Sequence, residues 1–161
     1  MKLITAIILG FIAFCASADE CKRIYTSDVF SLCAKYAPDL GISPHKTYSI
    51  FGKTKISKSS THLSDEVDLE GVSDIKKADE NKFFYKAYFG GNSINAENRH
   101  VLLILTDNAI KYAGEFSGYD DIDGDGINEF YAYEEPYGTS HANVKYMKKK
   151  LVIKNDKLQR Q

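Results

Sequence analysis

The chain has 161 residues, 43% of them apolar, with 21 Lys and Arg against 22 Asp and Glu. That length suits one domain, and the apolar share excludes wholesale disorder. A formal net charge of −1 argues against a nucleic-acid partner, and three cysteines are too few for a disulfide-dense miniature scaffold.

Met1 and Lys2 form a short positive start, residues 3–14 are largely apolar, and Ala16-Ser17-Ala18 follows with small residues at both positions that signal peptidase reads. This three-part pattern predicts a secretory signal peptide over residues 1–18, cleaved after Ala18. The run is shorter than the ~20 apolar residues that a membrane anchor needs. Phe14 stands where a lipoprotein signal would place a small residue before Cys15. No other stretch is long and apolar enough to span a bilayer, so the expected location is periplasmic or secreted. Residues 19–161 are then a single domain. Cleavage removes Cys15 and leaves Cys21 and Cys33. An even pair in an exported chain predicts one disulfide, with two free buried thiols as the alternative.

Thr26-Ser27-Asp28 offers N-cap residues, and Val29, Phe30, Leu32, Cys33 and Tyr36 follow at helical spacing until Pro38. This predicts a short helix over 27–36. Residues 47–56 read as a strand interrupted by Gly52. Residues 57–81 are polar and charged, with Asp65, Glu66, Asp68 and Glu70 close together and Val67, Leu69, Val72 and Ile75 as the apolar anchors. A weak strand or helix, or a long loop, is expected there. Residues 83–89 form an aromatic strand ended by Gly90-Gly91, and Val101 to Leu105 is a continuous apolar run that suits a strand buried on both faces. Asp107-Asn108 makes a turn. Ile110, Tyr112, Gly114 and Phe116 then alternate with polar or small residues as a half-buried strand, closing a hairpin. Further strands are expected at 130–133, 144–147 and 151–153. No internal repeat with a fixed period is visible. The fold class is mainly β: a small antiparallel domain, meander or sandwich-like, with a short N-terminal helix.

The chemistry-bearing motif is Asp121-Ile122-Asp123-Gly124-Asp125-Gly126-Ile127-Asn128-Glu129. Three carboxylates at every second position can turn toward one centre when the loop curls. Gly124 and Gly126 permit the positive φ of such a curl. Ile127 offers a backbone carbonyl, and Glu129 can bind through both oxygens. About six oxygen ligands suit Ca²⁺, whereas Mg²⁺ demands a tighter octahedron and keeps more waters. Zn²⁺ would want His or Cys, and the loop has neither. The competing reading is a solvated acidic turn. The loop opens like an EF-hand, but position twelve is Ala132 rather than a bidentate Glu, and the flanks read as strands.

The pattern D-x-D-G-D-G-x-x-[DE] resembles the calcium loops of integrin-type β-propeller repeats, in which the loop joins two β-strands. That resemblance implies ligand roles for Asp121, Asp123, Asp125, Ile127 and Glu129. It covers one loop and its flanks and does not imply a propeller. The layout of a signal peptide, a β-rich body and a D-x-D-G-D-G loop before a strand also resembles small exported inhibitors of invertebrate-type lysozymes. There the strand leads into a Ser/Gly-rich loop that plugs the enzyme cleft. This resemblance implies a partner-binding role for Tyr137, Gly138, Thr139, Ser140 and His141, although the Ser-Gly…Tyr signature of those inhibitors is absent from that stretch.

No G-x-S-x-G, H-E-x-x-H, P-loop or C-x-x-C is present. His45, His62, His100 and His141 are scattered singly. Tyr131, Tyr133, Tyr137 and Tyr146 cluster around the acidic loop, as core pairs or as an exposed patch. The expectation is a non-enzymatic, exported calcium-binding module that binds a protein partner. Inhibition of, or immunity to, a cell-wall hydrolase or toxin is the expected role. A small secreted hydrolase with a structural calcium and a structural envelope protein are the alternatives. Charge is segregated: residues 112–144 contain no Lys or Arg but hold Glu115, Asp120, Asp121, Asp123, Asp125, Glu129, Glu134 and Glu135. A chain of net −1 therefore hides an acidic segment inside a mildly basic body, and a partner meeting that segment should offer positive charge.

Overall fold

Apolar side chains that alternate along the chain, rather than recur at helical spacing, govern the first elements. The computed structural model describes residues 21–38, 46–66, 69–87, 94–134 and 146–161. Residues 27–36, expected to be helical, are a turn and a strand: β1 (Lys22–Thr26) and β2 (Phe30–Tyr36) form an antiparallel hairpin joined at residues 27–29. Phe30, Leu32 and Ala34 are buried in β2, whereas Val29 and Tyr36 of the supposed helical face are exposed. Ser27 does use N-cap chemistry, but to close a turn. Its Oγ accepts from the Phe30 amide at 3.2 Å, while its own amide donates to the Phe30 carbonyl at 2.9 Å. A disulfide joins Cys21 to Cys33 across the hairpin, with 5.5 Å between the Cα atoms. Closing a loop of this length is worth ~3 kcal/mol in the chain-entropy account.

β3 (Tyr48–Thr54) pairs with β2, and β4 (Thr61–Glu66) pairs with β3, completing a four-stranded meander. Gly52 does not interrupt β3. A Cβ there would sit 2.5 Å from Ile110 Cγ2 and 2.7 Å from Leu63 Cδ1, so its lack of a side chain admits a neighbouring sheet. Within the polar 57–81 stretch, residues 61–66, 70–73 and 76–79 form regular elements. β4 is followed by a helical turn, α1 (Glu70–Ser73), and by β5 (Lys76–Asp79). Val72 of α1 is fully buried.

β5, β6 (Lys82–Lys86), β7 (His100–Leu105) and β8 (Ile110–Phe116) form a second meander, with the short helix α2 (Ile94–Glu97) leading into β7. β9 (Gly118–Asp120), β10 (Glu129–Glu134), β11 (Met147–Lys154) and β12 (Lys157–Arg160) form a third. The three sheets stack as layers. Phe30, Leu32, Ile50, Leu63, Tyr85, Val101, Leu103 and Ile110 pack between the first and second sheets. Leu102, Ile104, Ala113, Phe116, Phe130 and Leu151 pack between the second and third. The apolar run of β7 thus serves both cores, which is why residues 101–104 are all buried. Every connection within a sheet is antiparallel and sequential, as a meander requires.

Two further expectations are refined, and one strand is added. The simple alternation over 110–116 is broken by a bulge, since Leu102 pairs with Gly114 but Leu103 with Tyr112. Ala113 is the extra residue and turns into the second core. The two short strands expected at 144–147 and 151–153 are one strand, β11, running through Lys148–Lys150, with residues 144 and 145 outside the described residues. β12 was not foreseen. Asn155 and Asp156, both at positive φ, make the two-residue turn that leads into it. The structure therefore repeats a four-stranded unit, but at unequal spacing, which leaves no sequence period to find. Residues 1–18 and 137–141 lie outside the described residues. No helix among the described residues is long and apolar enough to cross a membrane.

Candidate metal centre

The 121–129 loop connects β9 to β10, the first and second strands of the third sheet, and Glu129 pairs with Asp120 at its base. Gly124 and Gly126 adopt φ of +82° and +84°. Nothing lies within 4 Å of a Cβ at either position, so backbone conformation and not space demands glycine there. The curl aims three amides at one side chain. Asp121 Oδ1 accepts from Gly124 N at 2.7 Å and Asp125 N at 3.1 Å, and Oδ2 accepts from Gly126 N at 2.9 Å. These bonds, that from Gly126 foremost, hold the Asp121 carboxyl below the usual carboxylate range.

Oxygens of Asp121, Asp123 and Glu129 lie within 4.8 Å of one another. Three of the five expected ligands therefore converge. Asp125 stands outside this cluster, and its Oδ1 accepts from the Ile127 amide at 2.8 Å. Ile127 is 65% exposed on the loop. Glu129 is 7% exposed, and its Oε2 accepts from the Ile122 amide at 3.1 Å. Lys150 reaches in from β11, with Nζ 2.8 Å from Glu129 Oε1 and 3.4 Å from Asp123 Oδ2. A positive charge thus already sits among these oxygens as a stand-in cation. Hard carboxylate oxygens without nitrogen or sulfur fit a hard divalent ion such as Ca²⁺.

The tyrosines flank this centre on the outer face of the third sheet. Tyr131 is buried, on the face opposite Phe130 and Ala132, and its ring centroid lies 5.5 Å from that of Tyr133. Tyr133 in turn lies 6.1 Å from Tyr146. Lys148 Nζ sits 4.4 Å above the Tyr131 ring and 3.4 Å from Asp120 Oδ2. The tyrosines thus form a ladder that runs from buried Tyr131 to half-buried Tyr133 and Tyr146 rather than an open patch. Tyr137 is outside the described residues.

A second group of ionisable side chains was not visible in the sequence. Arg99 Nη1 meets Glu66 Oε2 at 2.6 Å and Nη2 meets Glu115 Oε1 at 2.7 Å. Tyr85 Oη lies 2.6 Å from Ser64 Oγ and donates to Glu66 Oε1 at 3.4 Å. Glu66 and Tyr85 are fully buried. Burial raises the pKa of Glu66 despite the opposing Arg99 charge, and burial also raises that of Tyr85. The partners stand up to 33 residues apart, so no local motif could announce them. The acidic run 65–70 is split by the pleat: Asp65 turns outward to Ser49 and His62, at 2.6 and 3.1 Å, while Glu66 turns inward. Asp68 is outside the described residues.

Of the histidines, His62 lies on an outer face and His100 stacks on Phe116 at 5.1 Å. Two open clefts, of about 500 and 450 Å³, lie elsewhere. One gathers Asp28, Val29, Ile56, Glu80 and Asp107 where hairpin turns of the first two sheets meet. The other is bounded by His62, Lys111, Tyr112 and Asp156. Fold and loop together define a three-sheet antiparallel β protein with an acidic, cation-suited hairpin loop. No protein family, curated protein or solved structure matches the chain.

Proposed function

We propose that the protein is an exported, non-enzymatic calcium-binding module that binds a protein partner, as an inhibitor of or immunity factor against a cell-wall hydrolase or toxin. The observation that carries the calcium reading is the convergence of Asp121, Asp123 and Glu129 oxygens at the mouth of one β-hairpin. Asp125 and the Ile127 carbonyl complete the donor set when an ion draws the loop inward. The Cys21–Cys33 disulfide supports export, because such bonds persist in oxidising compartments. The hydrolase alternative needs an acid or base that substrate can reach, and Glu66, the carboxyl that burial pushes up, has no exposed surface. The acidic segment favours a partner with positive charge, as a cationic cell-wall hydrolase has.

Thermal melting tests the calcium reading. Ca²⁺ should raise the melting temperature and Asp123→Ala should abolish the rise. Equal melting curves in calcium and in chelator would sink it. Affinity capture from envelope extract or culture fluid tests the partner, and recovery of no protein would count against an inhibitor.

A further inference from the structure

Most acceptor positions of the acidic loop are already taken by its own backbone. Asp121 receives the amides of Gly124, Asp125 and Gly126, and Glu129 Oε2 receives that of Ile122. Within the Asp121, Asp123 and Glu129 cluster, Glu129 Oε1 and Asp123 Oδ2 accept none of these amides, and both turn to one ammonium, Lys150 Nζ. Lys150 belongs to a different strand. The β10–β11 register sets it opposite Tyr131, one pleat from Glu129 on the same face. Lys148, the next lysine on that face, is engaged by Asp120 and the Tyr131 ring.

We infer that Lys150 is the tethered counter-ion of this loop, and that a divalent cation binds there by displacing it. The inference rests on the metal reading above. An ion at Ca²⁺–oxygen distances of ~2.3–2.6 Å needs the space next to Glu129 Oε1 that the ammonium fills at 2.8 Å. The two positive charges repel at that range. Glu129, 7% exposed, stays in place, whereas the Lys150 side chain is 37% exposed and can swing to water on its flexible stem. A monovalent ion gains no charge by the exchange, but a divalent ion does. Lys150 thereby weakens affinity, holds the loop in shape between binding events and rejects Na⁺ and K⁺.

Calorimetric titration with Ca²⁺ of the wild type, Lys150→Gln and Lys154→Gln tests this. Lys154→Gln removes the same charge from an exposed position four residues further along β11. Lys150→Gln should bind at least about tenfold tighter than the wild type, and Lys154→Gln should match the wild type. In the wild type, acylation of Lys150 by an N-hydroxysuccinimide ester, read by mass spectrometry, should rise when Ca²⁺ is added. Equal or weaker binding by Lys150→Gln overturns the role of Lys150 while leaving the metal site standing. No binding by any of the three proteins overturns both. Should Lys150→Gln not fold, unchanged labelling of Lys150 in calcium-bound wild type overturns the inference by itself.

Discussion

Among single side chains, His100 carries a consequence for pH. The His100 ring is stacked on Phe116, and its Nδ1 lies 2.8 Å from the Asn98 carbonyl. Burial pushes its pKa down, and the charges of Lys86 and Lys76 add to this against the Asn98 bond. The folded state therefore binds fewer protons than the unfolded state below the ordinary histidine pKa of about 6.5. Stability should be unaffected by this group above that value and should fall as pH drops through it toward the lower folded pKa. Melting temperatures between pH 8 and 5 should decline on the acid side. His100→Gln should flatten that decline, and an unchanged profile would refute the assignment.

Among the elements, α1 is the tightest fit. A Cβ on Gly71 would come 2.0 Å from the Lys86 carbonyl oxygen, a backbone atom that cannot rotate away. Gly71→Ala should therefore cost at least about 1–3 kcal/mol, because α1 must lift from β6 and loosen the buried Val72. Urea unfolding measures this, and a wild-type midpoint would mean that α1 does not seat as described. The β9–β10 hairpin is the opposite case. Its loop is exposed, and its base is braced by the Glu129–Asp120 pairing and by Lys150. Metal binding is thus expected to draw the loop inward while leaving its base in place. Much of this was legible beforehand: the glycines at 124 and 126 and the alternate acids led to the loop. The bond from the Ile127 amide to Asp125 was not, since it depends on how the loop curls.

For the whole molecule, the decisive fact is that the middle sheet faces two cores. Leu32 lies in one and Leu151 in the other, and alternate residues of β7 belong to each. Leu32→Ala and Leu151→Ala should each cost ~2–5 kcal/mol. Both should lower one shared unfolding transition in calorimetry, because neither core persists without β7. Two separate transitions would show that the layers are independent units. The outer sheets end the stack with polar faces: Ser31, Lys35, Ser49 and Lys53 on the first, and Lys148, Lys150 and Lys154 on the third. A polar outer layer stops such stacking from continuing into a neighbouring molecule.

The sequence by itself determined the mainly β character, the two-faced burial of residues 101–104, the cysteine pair and the acidic loop. Each is a local pattern, written in composition and in spacing over a few residues. Tertiary structure decided what depends on partners far along the chain. Residues 27–36 carry spacing that suits a helix or a strand, and pairing of β2 with β3 settled it because hydrogen bonds to a neighbour strand outweigh local preference. The same holds for Lys150 beside Glu129, and for Glu66, Arg99 and Glu115. Only cross-strand register and layer stacking bring such charges together, and neither leaves a mark on adjacent residues.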